Sequence, residues 1–256
     1  MILMYHHIMP PAMVPSNKPP LEGWDFTHSP TAFERHLTTL QRRGYRFVSL
    51  ADLTQYIQRH GTEPAKTVTV TFDDGWLDKF TYALPILKQL AIPATFFCTT
   101  SHLQTGKDDP AKMTRTQLQD LLAAGMTIGG HTRTHPNLTT LSVEQATDEI
   151  AGCKYDLEQA LNIKVKFFAY PGGAFNRSVA RLTQDAGYTA ACSVLGPAPN
   201  DSTSMFWLYR DVLSESMTTW RDRYRLCPIA RRWLAFRTTR RLELLLETTA
   251  GCSPRL

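Results

Sequence analysis

The chain has 256 residues and a mass of 29.0 kDa, with 43% hydrophobic, 20% charged and 10% aromatic residues. That balance excludes a disordered chain, a collagen-like fibre and a disulfide-stapled miniprotein, and a domain of this size folds without a structural metal. The formal charge of +5 is unevenly placed: residues 221–256 hold nine Arg and no Lys against Asp222, Glu243 and Glu247, a surplus of +6, so the first 220 residues are close to neutral.

In chain order, Ile2–Tyr5 reads as the first strand. Ser29-Pro30 then reads as a helix start, with Phe33, Leu37 and Leu40 at helical spacing and Gly44 closing the helix. Arg46–Val48 is a short strand and Leu50–Arg59 a helix ended by Gly61. The β-branched run Val68–Phe72 is a strand, followed by a helix through Leu84, Leu87 and Leu90 that Pro85 should kink. Ala94–Cys98 is a strand; Thr114 with Gln117 has capping-box spacing, and Met126–Ile128 is a strand. Ser142 with Gln145 caps a helix running to about Leu161. Val165–Tyr170 is a strand, Ser178–Asp185 a helix, and Tyr188–Val194 and Trp207–Val212 the last two strands. This alternation predicts a parallel α/β fold, a barrel of seven or eight units in preference to a doubly wound sheet.

Five cysteines, an odd number with no Cys-x-x-Cys pair, suit a reducing compartment. Met1–Met4 is apolar, but Tyr5-His6-His7 stops it short of a signal peptide, and no stretch approaches the roughly 20 apolar residues of a membrane span. The expected location is cytoplasmic.

Four polar clusters fall at the carboxyl ends of expected strands, the rim where α/β barrels assemble active sites: Tyr5-His6-His7, Asp73-Asp74-Gly75, His131 to His135, and Tyr170-Pro171-Gly172-Gly173. Asp73-Asp74-Gly75 taken alone reads equally as a turn before a helix. Two imidazoles four residues apart can converge on one ion, and with a carboxylate they suit Zn²⁺ or a similar divalent ion, leaving the second Asp as a base.

Thr71-Phe72-Asp73-Asp74-Gly75, His131-Thr132-x-x-His135-Pro136 and Tyr170-Pro171-Gly172-Gly173 resemble the first three motifs of the polysaccharide deacetylases (NodB homology, carbohydrate esterase family 4). The opening Met4-Tyr5-His6-His7-Ile8, the stretch Gly44-Tyr45 with Val48-Ser49-Leu50, and Ile92–Phe97 are similar to further elements of that family, so the likeness spans about residues 2–195. The resemblance implies a distorted (β/α)7–8 TIM-like barrel over residues 1–220 and metal-dependent hydrolysis of acyl groups on carbohydrates. It assigns Asp74, His131 and His135 as ligands of a divalent metal, Zn²⁺ first, with Co²⁺, Ni²⁺ or Mn²⁺ as alternatives. Asp73 would be the base towards a metal-bound water, and the Gly172 N–H would hold the oxyanion. Tyr5, His7, Tyr170, Pro171 and Arg210 are expected at the substrate.

Three departures stand out. The Arg that the family often places two residues before the third-motif Pro is Ala169 here, and the Tyr that follows that Pro is Gly172. The late Leu-x-His motif has no counterpart, because no His follows His135. His6, or after it His7, is the preferred substitute proton donor, with return of the proton by Asp73 as the alternative. His28, His36, His60, His102 and Asp78 are expected at the surface, and Trp24, Trp76 and Trp207 in packing or against sugar rings.

Residues 221–256 have helical propensity, with Arg pairs interleaved among Trp233, Leu234, Phe236 and Leu242. They read as a terminal helix with a basic face, or as a membrane-surface segment that would hold the protein peripherally at the inner face near a lipid-linked sugar. Nucleic acid is not an expected partner, since no nucleic-acid-binding motif accompanies the charge. The expected function is thus removal of N-acetyl or other acyl groups from an amino-sugar glycan. A catalytically impaired glycan-binding scaffold on the same fold, or an amidase for a non-sugar acyl amide, is the alternative.

Overall fold

In the computed structural model the described residues are 1–16, 24–105, 109–195 and 199–213. The basic segment 221–256, and with it the expected terminal helix, lies outside them.

Eleven strands are described: β1 (Ile2–Tyr5), β2 (His7–Ile8), β3 (Thr27–His28), β4 (Arg46–Phe47), β5 (Thr67–Phe72), β6 (Ala94–Cys98), β7 (Thr127–Gly130), β8 (Phe167–Ala169), β9 (Ala190–Ser193), β10 (Leu208–Tyr209) and β11 (Asp211–Val212). One parallel sheet runs β10-β9-β8-β7-β6-β5-β1-β11, and β4 pairs with the start of β5. The ends of that order, β10 and β11, are separated in the chain by Arg210 alone. Leu208 and Tyr209 pair with Cys192 and Ser193 of β9, and Asp211 and Val212 pair with Leu3 and Met4 of β1. The last strand therefore bridges the two edges and nearly closes the sheet into a barrel. The expected Trp207–Val212 strand is present but divided at Arg210.

The helices form where local chemistry says they should. Helix α1 (Pro30–Arg42) starts with the Ser29 side chain accepting the Ala32 N–H, and buries Phe33, Leu37 and Leu40. Helix α2 (Leu50–His60) is capped by Ser49 and ends at left-handed Gly61. Both expected capping boxes are made, at Thr114/Gln117 and Ser142/Gln145. The helix carrying Pro85 differs from expectation: a π segment, Lys79–Ala83, runs into α3 (Leu84–Gln89) with Pro85 in its first turn. Proline has no N–H to return to the preceding turn, so its place is a helix start.

Helices α4 (Ser101–Thr105) and α5 (Arg115–Ala123) follow. The helix after Ser142 is α6 (Val143–Thr147), a π segment (Asp148–Gly152) and α7 (Cys153–Leu161) in direct succession; α8 (Arg177–Asp185) is last. Strands β1, β5 and β6 are buried at every position, as parallel strands covered on both faces must be. Among the described residues no helix is long and apolar enough to cross a membrane.

Candidate active site

The carboxyl ends of β5, β7 and β8 deliver the acidic, His and Gly motifs to one rim. Asp74 Oδ1 lies 3.3 Å from His131 Nε2 and 3.2 Å from His135 Nε2, and one donor atom from each residue lies within 4.8 Å of the others. The donor set suits a divalent ion of the zinc type. The Nδ1 of His131 is 2.7 Å from the Ala169 carbonyl oxygen, so it carries the proton and leaves Nε2 as the lone-pair donor. The other Asp74 oxygen, Oδ2, accepts the Trp76 indole N–H at 3.1 Å. Lys112 Nζ lies 3.2 Å from the Trp76 ring centroid and donates to the Asp74 carbonyl at 2.8 Å.

Three residues of this group take left-handed backbone without being glycine: Asp74 (φ 72°), Thr132 (φ 65°) and His135 (φ 66°). Such angles are costly, most of all for a β-branched Thr, and persist where surrounding contacts impose them. Thr132 is one such contact. Its hydroxyl accepts the His135 N–H at 2.9 Å and donates to the His131 carbonyl.

Asp73 is buried and held from behind. Arg210 Nη1 and Nη2 each donate to one of its carboxylate oxygens at 2.7 Å, and Nη1 also reaches the Thr71 hydroxyl at 3.2 Å. Burial pushes the Asp73 carboxyl up, but the Arg210 charge, with His131 behind it, outweighs that and holds the group below its ordinary value. For Asp74 burial again acts upward, and His131 and His135 bring it well below the usual carboxylate range. Burial lowers His135, but Asp74 raises it above its ordinary value.

Other expected site residues fall elsewhere. Arg210 is 1% exposed and faces Asp73, so it serves the carboxylate and does not present itself to a substrate. Tyr5 is wholly buried, packed edge-on against Phe33, with its hydroxyl 2.6 Å from His36 Nδ1. Tyr170 is also buried, and donates to the Phe206 carbonyl at 2.8 Å. Pro171 is buried in the turn below it. His7 is buried, stacked on Trp24 at 3.9 Å, with Nδ1 3.5 Å from Asp78 Oδ2. These four are interior supports, and their expected substrate contact is corrected accordingly.

Gly172 alone of its turn is exposed, at φ 57°, and among the described residues nothing lies within 4 Å of where a Cβ would stand. His6 is partly exposed, and its Nδ1 is buried without a hydrogen bond among the described residues. Burial lowers its pKa to about 4, against the pull of Asp74 and Asp73.

Surface placement also fails for Asp78 and His28, which are buried. Asp78 accepts the Ile8 N–H at 2.7 Å. His36 and His102 are partly buried, while His60 is exposed. Sequence reasoning missed Lys112 and the Ala169 carbonyl as supports, because neither lies in a recognisable motif. Trp76, adjacent to Gly75, was legible only as an aromatic of open role.

Known proteins are similar to this chain in sequence and in fold. YxkH of Bacillus subtilis (strain 168), which bears the description of a polysaccharide deacetylase, is 26% identical over 219 residues, covering 85% of this chain and 72% of the relative. The poly-beta-1,6-N-acetyl-D-glucosamine N-deacetylase of Staphylococcus aureus (strain MSSA476) is 24% identical, covering 75% of this chain and 69% of the relative. Among solved structures, the Streptococcus pyogenes deacetylase PplD in complex with acetate superposes with a TM-score of 0.74 at 27% identity, covering 84% of this chain and 92% of that one. IcaB from Ammonifex degensii shares the fold with a TM-score of 0.71 at 23% identity, over 87% of this chain and 93% of that one. The family described as Polysaccharide deacetylase matches residues 60–191, which contain both aspartates, both ligand-type histidines and the Tyr170–Gly173 turn. With half the chain matched and the motif residues converging on one rim, the chain belongs to the polysaccharide deacetylase family.

Proposed function

We propose that the protein is a divalent-metal-dependent N-deacetylase of an amino-sugar glycan. The observation that carries this reading is the convergence of Asp74, His131 and His135 beside an Asp73 gripped by Arg210. Asp74 Oδ1, His131 Nε2 and His135 Nε2 would hold the ion, with Zn²⁺ the best match to two imidazoles and a carboxylate. Once bound, the ion supplies Lewis-acid polarisation of the acyl carbonyl and acidifies the attacking water.

The protein's own residues do the rest. Asp73, ionised because Arg210 keeps its pKa low, takes a proton from the water as its oxygen bonds to the acyl carbon. A carboxylate so held is a weak base, which suits a water already made acidic. By the same token it is a strong acid once protonated. Asp73 therefore returns the proton to the amide nitrogen as the carbon–nitrogen bond breaks, giving a free amine and a carboxylic acid that then loses its proton to solvent. His6, the preferred donor from the motif pattern, is uncharged at neutral pH and has no extra proton to give. Its place beside the aspartates suits a hydrogen-bonding role. Gly172 is exposed at the rim, and its lack of a side chain supports close approach of a sugar to bare backbone.

The names of two relatives, the poly-N-acetylglucosamine deacetylase and the B. subtilis peptidoglycan-N-acetylmuramic acid deacetylase PdaA, support an N-acetylated amino sugar as substrate; PdaA is 29% identical over half of this chain and 46% of its own length. The nine arginines of 221–256 support a peripheral position at an anionic membrane face, where a lipid-linked sugar would be within reach. The test is acetate release from N-acetylglucosamine oligosaccharides, before and after chelation and with zinc restored. Release that survives chelation overturns the proposal.

A further inference from the structure

The two residues inside the His131-x-x-x-His135 spacing that face away from the ion site are tied to a helix irregularity. The backbone N–H groups of Arg133 and Thr134 both donate to Glu149 Oε2, at 2.8 and 2.9 Å, and the Thr134 hydroxyl donates to Oε1 at 2.5 Å. Arg133 Nε and Nη2 donate to the two oxygens of Asp156 at 2.9 and 3.1 Å, and Nη1 to Asp148 at 2.5 Å. The Arg133 carbonyl in turn accepts the N–H groups of Thr100 and Ser101. Asp148 and Glu149 open the π segment Asp148–Gly152, and Asp156 lies one turn beyond it in α7.

An extra residue in one helical turn rotates the side chains that follow relative to those before, and π segments of this kind recur at functional sites. Here three carboxylates separated by the irregularity reach one loop. Gly152 completes the fit, because a Cβ there would stand 2.3 Å from Arg133 Cζ, so the guanidinium lies against bare backbone.

We propose that Arg133 and Glu149 are positioning residues that preform the metal site, by holding Thr132 and His135 in the left-handed turns that aim both imidazoles at Asp74. The inference rests on the metal reading above. Neither residue needs to touch the ion. Glu149 fixes the two peptide N–H groups between the strained residues, and Arg133 anchors the loop to α7. A loop held in this way pays its ordering cost on folding, and a loop without the clamp must pay it when the ion binds.

The test uses the full chain and Zn²⁺ in competition with a chromogenic chelator, for wild type, Glu149→Gln and Gly152→Ala, alongside the melting temperature of each metal-free protein. Gly152→Ala keeps every charge and improves helix propensity, so it remains informative if Glu149→Gln folds poorly. The expected result is zinc affinity weaker by about 10- to 100-fold in both variants, the range found when partners behind metal ligands are removed. In Gly152→Ala the metal-free melting temperature should fall little. Zinc affinity within twofold of wild type in both variants would overturn the inference and leave the clamp a purely structural feature. Wild type that binds no zinc would overturn the metal reading itself, and this inference with it.

Discussion

Arg210 and Asp73 meet in a two-bond fork, 2.7 Å at each contact, although 137 positions separate them in the chain and β1 lies between their strands. The contact depends on the closing strand. Its break at Arg210 lets β10 pair with β9 and β11 with β1, while the Arg210 N–H bonds to the Ser193 carbonyl at 3.0 Å. The guanidinium is directed inward, buried against Asp73 and the Thr71 hydroxyl.

Replacing Arg210 by Met should therefore strand a buried carboxylate. Breaking one side of a buried pair costs about 3–5 kcal/mol, which a urea midpoint will show. The pH profile should move as well. In the wild type Asp73 is held low, so it stays ionised down to acid pH; without Arg210 the upward push of burial is opposed only by the weaker pull of His131 and His6. The acidic limb of kcat/KM should then shift to higher pH. A variant with reduced stability and an unmoved acidic limb would show that Arg210 does not tune the base.

Asp73→Asn and His6→Gln separate the two possible proton carriers. If Asp73 both takes and returns the proton, Asn should reduce kcat by about 10²–10⁴-fold while zinc affinity stays near wild type. His6→Gln should cost far less, because a ring with a pKa of about 4 is already neutral at pH 7. Equal losses in kcat would reassign His6 to the chemistry.

The rim was legible because its parts are local. Asp73-Asp74, His131/His135 and Tyr170–Gly173 each follow a strand that hydrophobic patterning marks, and parallel topology brings strand ends together. What patterning could not show is inward or outward direction at isolated residues. Tyr5 and Tyr170 look like rim aromatics in sequence, yet their rings fill the core and only their hydroxyls need partners, which His36 and the Phe206 carbonyl supply. Asp78 looks exposed next to Lys79, but the π segment that begins at Lys79 carries both inward. The Arg210 clamp was invisible for a topological reason, since it exists only once the sheet has closed.

Stability should also fall on mild acidification. Burial, with a smaller push from His28, lowers His36 to about 4, whereas in the unfolded chain it titrates near 6.5. The unfolded state then binds more protons between these values. The contribution is full above about pH 6.5 and declines to pH 4, by up to roughly 3 kcal/mol. His36→Gln, which does not titrate and can still accept the Tyr5 hydroxyl, should reduce the difference between urea midpoints at pH 7 and pH 4.5. An unchanged difference would mean that other groups carry the acid sensitivity.

The basic segment 221–256 predicts binding to vesicles containing anionic lipid. Each Arg near such a surface is worth about 1 kcal/mol at most, and the attraction is screened over a Debye length of about 8 Å at physiological salt. Co-sedimentation with phosphatidylglycerol vesicles should therefore be strong at low salt, weak at 0.5 M NaCl, and lost when residues 221–256 are removed. Salt-insensitive binding, or binding that survives the truncation, would place the contact elsewhere.

Zinc should raise the melting temperature, and the size of the rise tests whether Asp74, His131 and His135 act together. A ligand that binds only the folded state adds about 2.7 kcal/mol at 100 times its dissociation constant. For a chain of this size that corresponds to roughly 5–10 °C. Chelation should remove the whole increment, and Asp74→Ala should show none of it, since Asp74 Oδ1 is the atom both imidazoles face. His135→Ala, at the more exposed side of the cluster, should retain part of the shift at higher zinc, because Asp74 and the buried His131 remain in register. A full zinc-dependent rise in Asp74→Ala would mean that the stabilising ion binds somewhere other than this rim.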